Sequence, residues 1–195
     1  MRRHGVGEDQ SVRARGKPAG RTAPPLYTPE ERARRDSSVW TLVQGILAPV
    51  QFLVFLVSTA LVVRFLLTGA GEMAAAVSVV AKTMILYAIM VTGSIWEKVV
   101  FGKWLFARPF FWEDLVSIMV LALHTAYLGM LFGRIGTPEE RFWLALLAYA
   151  AYVVNAGQFL LKLRAARLEA AAQEGAVDET DAAPVGRLRA EGAAA

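Results

Sequence analysis

Four long blocks of apolar residues, at roughly 41–67, 73–96, 115–132 and 142–161, constrain this chain more than any other feature. Each is close to the ~20 residues a helix needs to cross hydrocarbon. Lipid offers no hydrogen-bond partners, so a crossing segment must satisfy its own backbone, and an isolated apolar run does that only as a helix. The pattern predicts an all-α fold, an integral membrane bundle of four transmembrane helices. Composition agrees: of 195 residues, 55% are hydrophobic and only 19% charged, with the charge concentrated outside the blocks.

Charge placement sets the expected orientation. Nine of the 21 basic residues (Arg2, Arg3, Arg13, Arg15, Lys17, Arg21, Arg32, Arg34 and Arg35) precede Trp40. The middle connection carries Lys98, Lys103 and Arg108, and the exit of the fourth block carries Lys162, Arg164 and Arg167. The first connection, Thr68 to Glu72, has no basic residue, and the third has only Arg134 and Arg141. Positive charge is retained on the cytoplasmic side, so the N terminus, the middle connection and the C terminus are expected there.

The expected organisation is a disordered basic tail over 1–36, a four-helix transmembrane domain over 37–168, and a disordered Ala/Glu/Gly-rich tail over 169–195. Within the first tail, Thr28-Pro29-Glu30-Glu31 reads as a helix start, with Thr28 as cap, Pro29 in the first turn and Glu31 closing a capping box. No cleavable signal peptide is expected, because the first apolar run is far longer than a signal core. Arg2-Arg3 lies too far from that run to act as a twin-arginine export signal.

Several function classes are excluded. Cysteine is absent, which removes disulfides, thiolate metal sites, iron–sulfur clusters and thiol nucleophiles. The basic tail lacks the interleaved aromatics of a nucleic-acid module, so no nucleic-acid partner is expected; anchoring on anionic lipid suits it better. Only two histidines exist, His4 and His124, so a multi-histidine haem or zinc cage cannot be assembled.

Ionisable residues at membrane depth are functional candidates by default, because burying one costs at least ~2.5 kcal/mol unless something relieves it. Lys82 lies nine residues past Met73 and His124 nine before Gly133, which places both at a similar depth. Tyr152, Asn155 and Gln158 continue this polar level along the fourth block. One explanation is structural: Lys82 snorkels to water and the uncharged residues bond one another between helices. The other is a ligand site, with His124 able to bind a metal ion through one ring nitrogen, the magnesium of a chlorin included.

A second constellation lies at the membrane edge, where Trp96-Glu97-Lys98 closes the second block and Phe110-Phe111-Trp112-Glu113-Asp114 opens the third. An aromatic belt with acids at a helix N-terminus explains Trp112, Glu113 and Asp114, but explains Glu97 less well. Helical spacing also sets Glu113, Ser117, His124 and Tyr127 near one stripe, a slot that would suit a flat ligand.

The strings LYTPEERARRD (26–36), TLVQGILAPVQF (41–52), TGSIWEKVVFGKWLFA (92–107), FFWED (110–114) with LHTAYL (123–128), and YVVNAGQFLLKLRAARLE (152–169) resemble the 3-vinyl bacteriochlorophyllide hydratases. The resemblance runs through the whole membrane core and leaves the first 25 residues and the tail past Glu169 uncovered. It implies hydration of the 3-vinyl group of chlorophyllide a or bacteriochlorophyllide to a 1-hydroxyethyl group in bacteriochlorophyll synthesis. It also implies residence in a bacterial inner or intracytoplasmic photosynthetic membrane, and no cofactor, magnesium being present only within the chlorin substrate.

Such a hydration needs an acid to protonate the terminal vinyl carbon and a base to assist water at the inner carbon. Glu97, Glu113 and Asp114 are the catalytic candidates, with Glu97 and Glu113 foremost. The substrate-binding candidates are His124 (on the magnesium or by a hydrogen bond), Lys82 (on an anionic ring substituent), Trp96, Trp112, Tyr127 and Asn155. A helical rise of ~15 Å separates Glu113 from His124, so a ring touching both must stand nearly upright along the helices; otherwise His124 is structural.

Two other functions compete. A non-catalytic chlorin carrier or photosynthetic assembly factor would use His124 to hold pigment. A small transporter would use Lys82 as counter-ion, but no internal repeat is present and Pro49 interrupts only one helix. Four helices make a small enclosure for so large a ring, which suits a homo-oligomer or contact with other enzymes of the pathway.

Overall fold

A computed structural model describes residues 26–192, with side chains through residue 172. The expected N-terminal tail through residue 25 lies outside the described residues. Helix α1 (Pro29–Ser37) begins as its sequence predicts: Glu31 N–H donates to Thr28 Oγ1 (3.2 Å), and Thr28 N–H donates to Glu31 Oε2 (2.8 Å). Three long helices follow, α2 (Val39–Thr68), α3 (Glu72–Phe101) and α4 (Phe111–Phe132), and α5 (Pro138–Gly192) completes the set. All four of α2 to α5 contain stretches long and apolar enough to cross a membrane.

The same string that starts α1, Thr-Pro-Glu-Glu, recurs at Thr137 to Glu140 and starts α5 with a second capping box. α5 continues to Gly192, beyond Glu169. That stretch is rich in Ala, which favours the helical backbone without needing a packed face. Pro49 does not interrupt α2, contrary to the reading from sequence: the helix runs unbroken through it.

The bundle is two antiparallel hairpins. α2 lies along α3, joined by the tight Gly69-Ala70-Gly71 turn, and α4 lies along α5; contact between the hairpins is much lighter. Lipid is as apolar as leucine, so association rests on close packing and interhelical hydrogen bonds. Gln44 to Thr92 (2.7 Å), Trp96 to Thr41 (2.9 Å) and Ser58 to Ser78 (2.8 Å) tie the first hairpin. Asn155 to Ser117 (2.8 Å) ties the second. Ser58 with Tyr149, and Tyr87 with Thr125 (2.8 Å), cross between them. Leu53, Leu67, Val77, Leu147 and Leu160 point outward, as a lipid-facing surface requires.

α1 and the residues before it lie across the end of the bundle where α3 leaves and α4 enters. Arg34 Nε donates to the Val100 carbonyl (2.9 Å), using an acceptor that the end of α3 leaves free. Tyr27 stacks on Phe101 with ring centroids 5.7 Å apart, beneath the Arg35 guanidinium. Burial raises the Tyr27 phenol above its ordinary range against the opposing pull of Arg35, which keeps it a neutral part of this roof.

Candidate functional site

Under that roof the structure gathers three carboxylates. Glu97 sits on the last turn of α3, one turn inside the helix where the sequence placed the start of a loop. Glu113 and Asp114 sit on the first turn of α4, and all three are buried. Gly102, left-handed at φ 76°, ends α3 and turns the chain back. Phe106 is also left-handed (φ 58°), a strained conformation for a bulky residue that persists only where its surroundings enforce it.

That backbone turn serves the acids. Phe106 N–H donates to Asp114 Oδ2 (2.7 Å) and Ala107 N–H to Glu97 Oε2 (3.2 Å), one amide for each carboxylate. The two amides are consecutive, so one turn of backbone holds both carboxyls. Glu113 turns instead to α5, where Lys162 Nζ lies 2.7 Å from its Oε2. Lys162 also donates to the Pro109 carbonyl and lies over the Phe110 ring, 4.9 Å from its centre. Two carboxyls held by one backbone turn therefore stand beside a third paired with a lysine.

Lys162 is the residue that sequence reasoning missed, having counted it only as a charge that orients the helix. Its signal was its place on α5, two turns past Asn155 on the polar stripe that also holds Gln158. Trp96 edges against Phe101 and Phe110 (5.7 and 5.6 Å), forming an aromatic wall beside Glu97. Trp112 is not part of this wall: it is exposed and points out of the bundle.

The expected stripe of α4 faces inward, with Glu113, Ser117, His124 and Tyr127 all buried. His124 Nδ1 lies 2.8 Å from the Val120 carbonyl, so the proton sits on Nδ1 and the Nε2 lone pair is free, with no hydrogen-bond partner. Lys82 does not snorkel. Its side chain is fully buried, its Nζ lies 3.9 Å from the centre of the Tyr152 ring, and it makes no hydrogen bond. Nor do the uncharged residues satisfy each other: Asn155 bonds Ser117, while Asn155 Oδ1 and Gln158 Oε1 remain unpaired. The structure thus brings Lys82, His124, Tyr152 and Asn155 into one interior region. Tyr127 lies farther along α4, against Phe142 (6.3 Å).

Two comparisons bear on this arrangement. Residues 27–165 match the family described as 2-vinyl bacteriochlorophyllide hydratase (BCHF). The chain is 64% identical over 150 residues to the 2-vinyl bacteriochlorophyllide hydratase of Rhodobacter capsulatus, covering 76% of this chain and 86% of that one. It is 63% identical over 145 residues to the protein of the same name from Cereibacter sphaeroides, covering 74% and 89%. No solved structure matches.

Proposed function

This chain belongs to the 2-vinyl bacteriochlorophyllide hydratase family, and we propose that it adds water to that vinyl group at the three-carboxylate end of its bundle. The position is numbered 2 in the older tetrapyrrole convention and 3 in the systematic one. The observation that carries the site is the division among three buried acids: Glu97 and Asp114 are held by consecutive amides of one turn, while Glu113 is paired with Lys162.

Hydration needs this division. The Glu97–Asp114 pair delivers its proton to the terminal vinyl carbon, and the positive charge that forms on the inner carbon spreads into the macrocycle. Water adds to the inner carbon and gives up one proton to Glu113, which Lys162 holds in place. Returning that proton to the acid pair, directly or through solvent, completes the cycle. One water is consumed, and no electron is transferred.

Binding is assigned to the remaining candidates. Trp96 packs the ring from inside, Trp112 meets it where it enters from lipid, and Asn155 and Tyr127 line the inner face of the second hairpin. His124 holds the substrate's magnesium: an imidazole that donates its other N–H to a backbone carbonyl and keeps a free lone pair is the arrangement metal-ligating histidines use. The clustering of positive charge supports an orientation with both termini and the carboxylate end on the cytoplasmic side of a bacterial photosynthetic membrane. A pigment carrier would need His124 but has no use for three gathered, buried carboxyls.

The test is to incubate membranes containing the protein with chlorophyllide a, without added cofactor, and follow product mass. Gain of one water is expected from the native protein, and Glu97→Gln should retain pigment without that gain. Retained pigment with no gain in the native protein would turn the reading to a carrier.

A further inference from the structure

Five buried side-chain atoms among the described residues have no hydrogen-bond partner: Gln51 Oε1, Lys82 Nζ, His124 Nε2, Asn155 Oδ1 and Gln158 Oε1. They come from all four spanning helices, two from the first hairpin and three from the second. The hairpins touch only lightly, and Lys82 reaches across that seam from α3 to Tyr152 on α5. A polar seam between two well-packed halves is where a flat ligand can enter without breaking either half.

Lys82 is the most demanding member. An ammonium at membrane depth needs a counter-charge, and the Tyr152 ring face supplies only part of one. Its own helix offers no help: Glu72 is ten residues away and Glu97 fifteen, ~15 and ~22 Å of rise in opposite directions. The missing negative charge has to arrive with the ligand. A chlorophyllide, unlike its esters, carries a free propionate.

Lys82 and His124 share one level of the bundle: the Lys82 ammonium lies over the Tyr152 ring and the His124 ring lies beside Tyr149, one turn apart on α5. One flat ligand at that level can therefore meet both groups. We propose that Lys82 is the receptor for the propionate, selecting the free acid over its esters. This deepens the hydratase reading and rests on it for the identity of the ligand.

The experiment compares chlorophyllide a with its methyl ester on purified native protein and on Lys82→Met, with pigment retention measured by absorbance and hydration by mass. The native protein should hold the free acid at least about tenfold more tightly than the ester, as expected for a desolvated charge pair. In Lys82→Met the acid-to-ester ratio should fall to about one, and Lys82→Arg should restore part of it. Removing an uncompensated buried charge does not threaten folding, and helicity by circular dichroism checks this. A native ratio near one, or a preference that survives in Lys82→Met, overturns the assignment. Preferential retention of the acid without hydration would uphold the Lys82 site and reject the hydratase chemistry; equal hydration of acid and ester would do the reverse.

Discussion

Replacing Lys162 by Met tests whether Glu113 is held as a charged group by a specific partner. The Nζ to Oε2 separation of 2.7 Å corresponds to ~6 kcal/mol of gross attraction at an effective dielectric constant near 20. Desolvating both groups takes back much of that, and the side chains are 21% and 10% exposed, which places the pair at the rim of the bundle and not at its centre. Breaking a fully buried pair costs about 3–5 kcal/mol, so about 2–3 kcal/mol is expected here, including the lost hydrogen bond to Pro109. Glu113→Gln alone should cost less, because a neutral amide can still accept from Lys162. The double variant Lys162→Met/Glu113→Gln should recover about 1–2 kcal/mol relative to the sum of the single changes. The assay is denaturant-induced unfolding in detergent micelles, followed by tryptophan fluorescence, with hydration measured in parallel. All three variants should lose hydration, even where the double variant regains stability. Additive stabilities within about 0.5 kcal/mol would show that the pair is not coupled, and full turnover in Lys162→Met would remove it from the chemistry.

Three further outcomes are expected. Hydration should fall as pH rises, when the carboxyl that serves as the acid loses its proton; a rate that increases monotonically with pH would contradict a carboxyl acid. His124→Leu should lose the preference for magnesium-containing over magnesium-free chlorin, read as pigment retention on the purified protein, and an unchanged preference would remove His124 as the metal ligand. Gly136→Ala should cost about 2 kcal/mol in the same unfolding assay, from a left-handed φ of 72° and a new Cβ placed 2.7 Å from Glu140 Oε2, the oxygen that caps α5. A change under about 0.5 kcal/mol would show that this turn is free to rearrange.

Much of this protein is settled by its sequence alone. The blocks at 41–67, 73–96, 115–132 and 142–161 became helices because a chain in lipid has no other local way to satisfy its backbone. Thr28 and Glu31 became a capping box because both partners lie within one turn. The inward stripe from Glu113 to Tyr127 followed from helical period. Each of these rests on relations among residues close along the chain.

What only the tertiary structure decided involves partners far apart in sequence. Glu113 and Lys162 are 49 positions apart, and nothing local distinguishes Lys162 from a topogenic charge. The opposing of Glu97 and Asp114 depends on how a left-handed Phe106 turns the chain between them, a conformation that no propensity would assign to phenylalanine. Lys82 had two sequence-compatible fates, water or the interior; the bundle holds it inside, with its ammonium over the Tyr152 ring of α5. Local periodicity fixes which face of a helix is polar, but the charge state and partner of a buried group depend on which other faces the bundle brings against it.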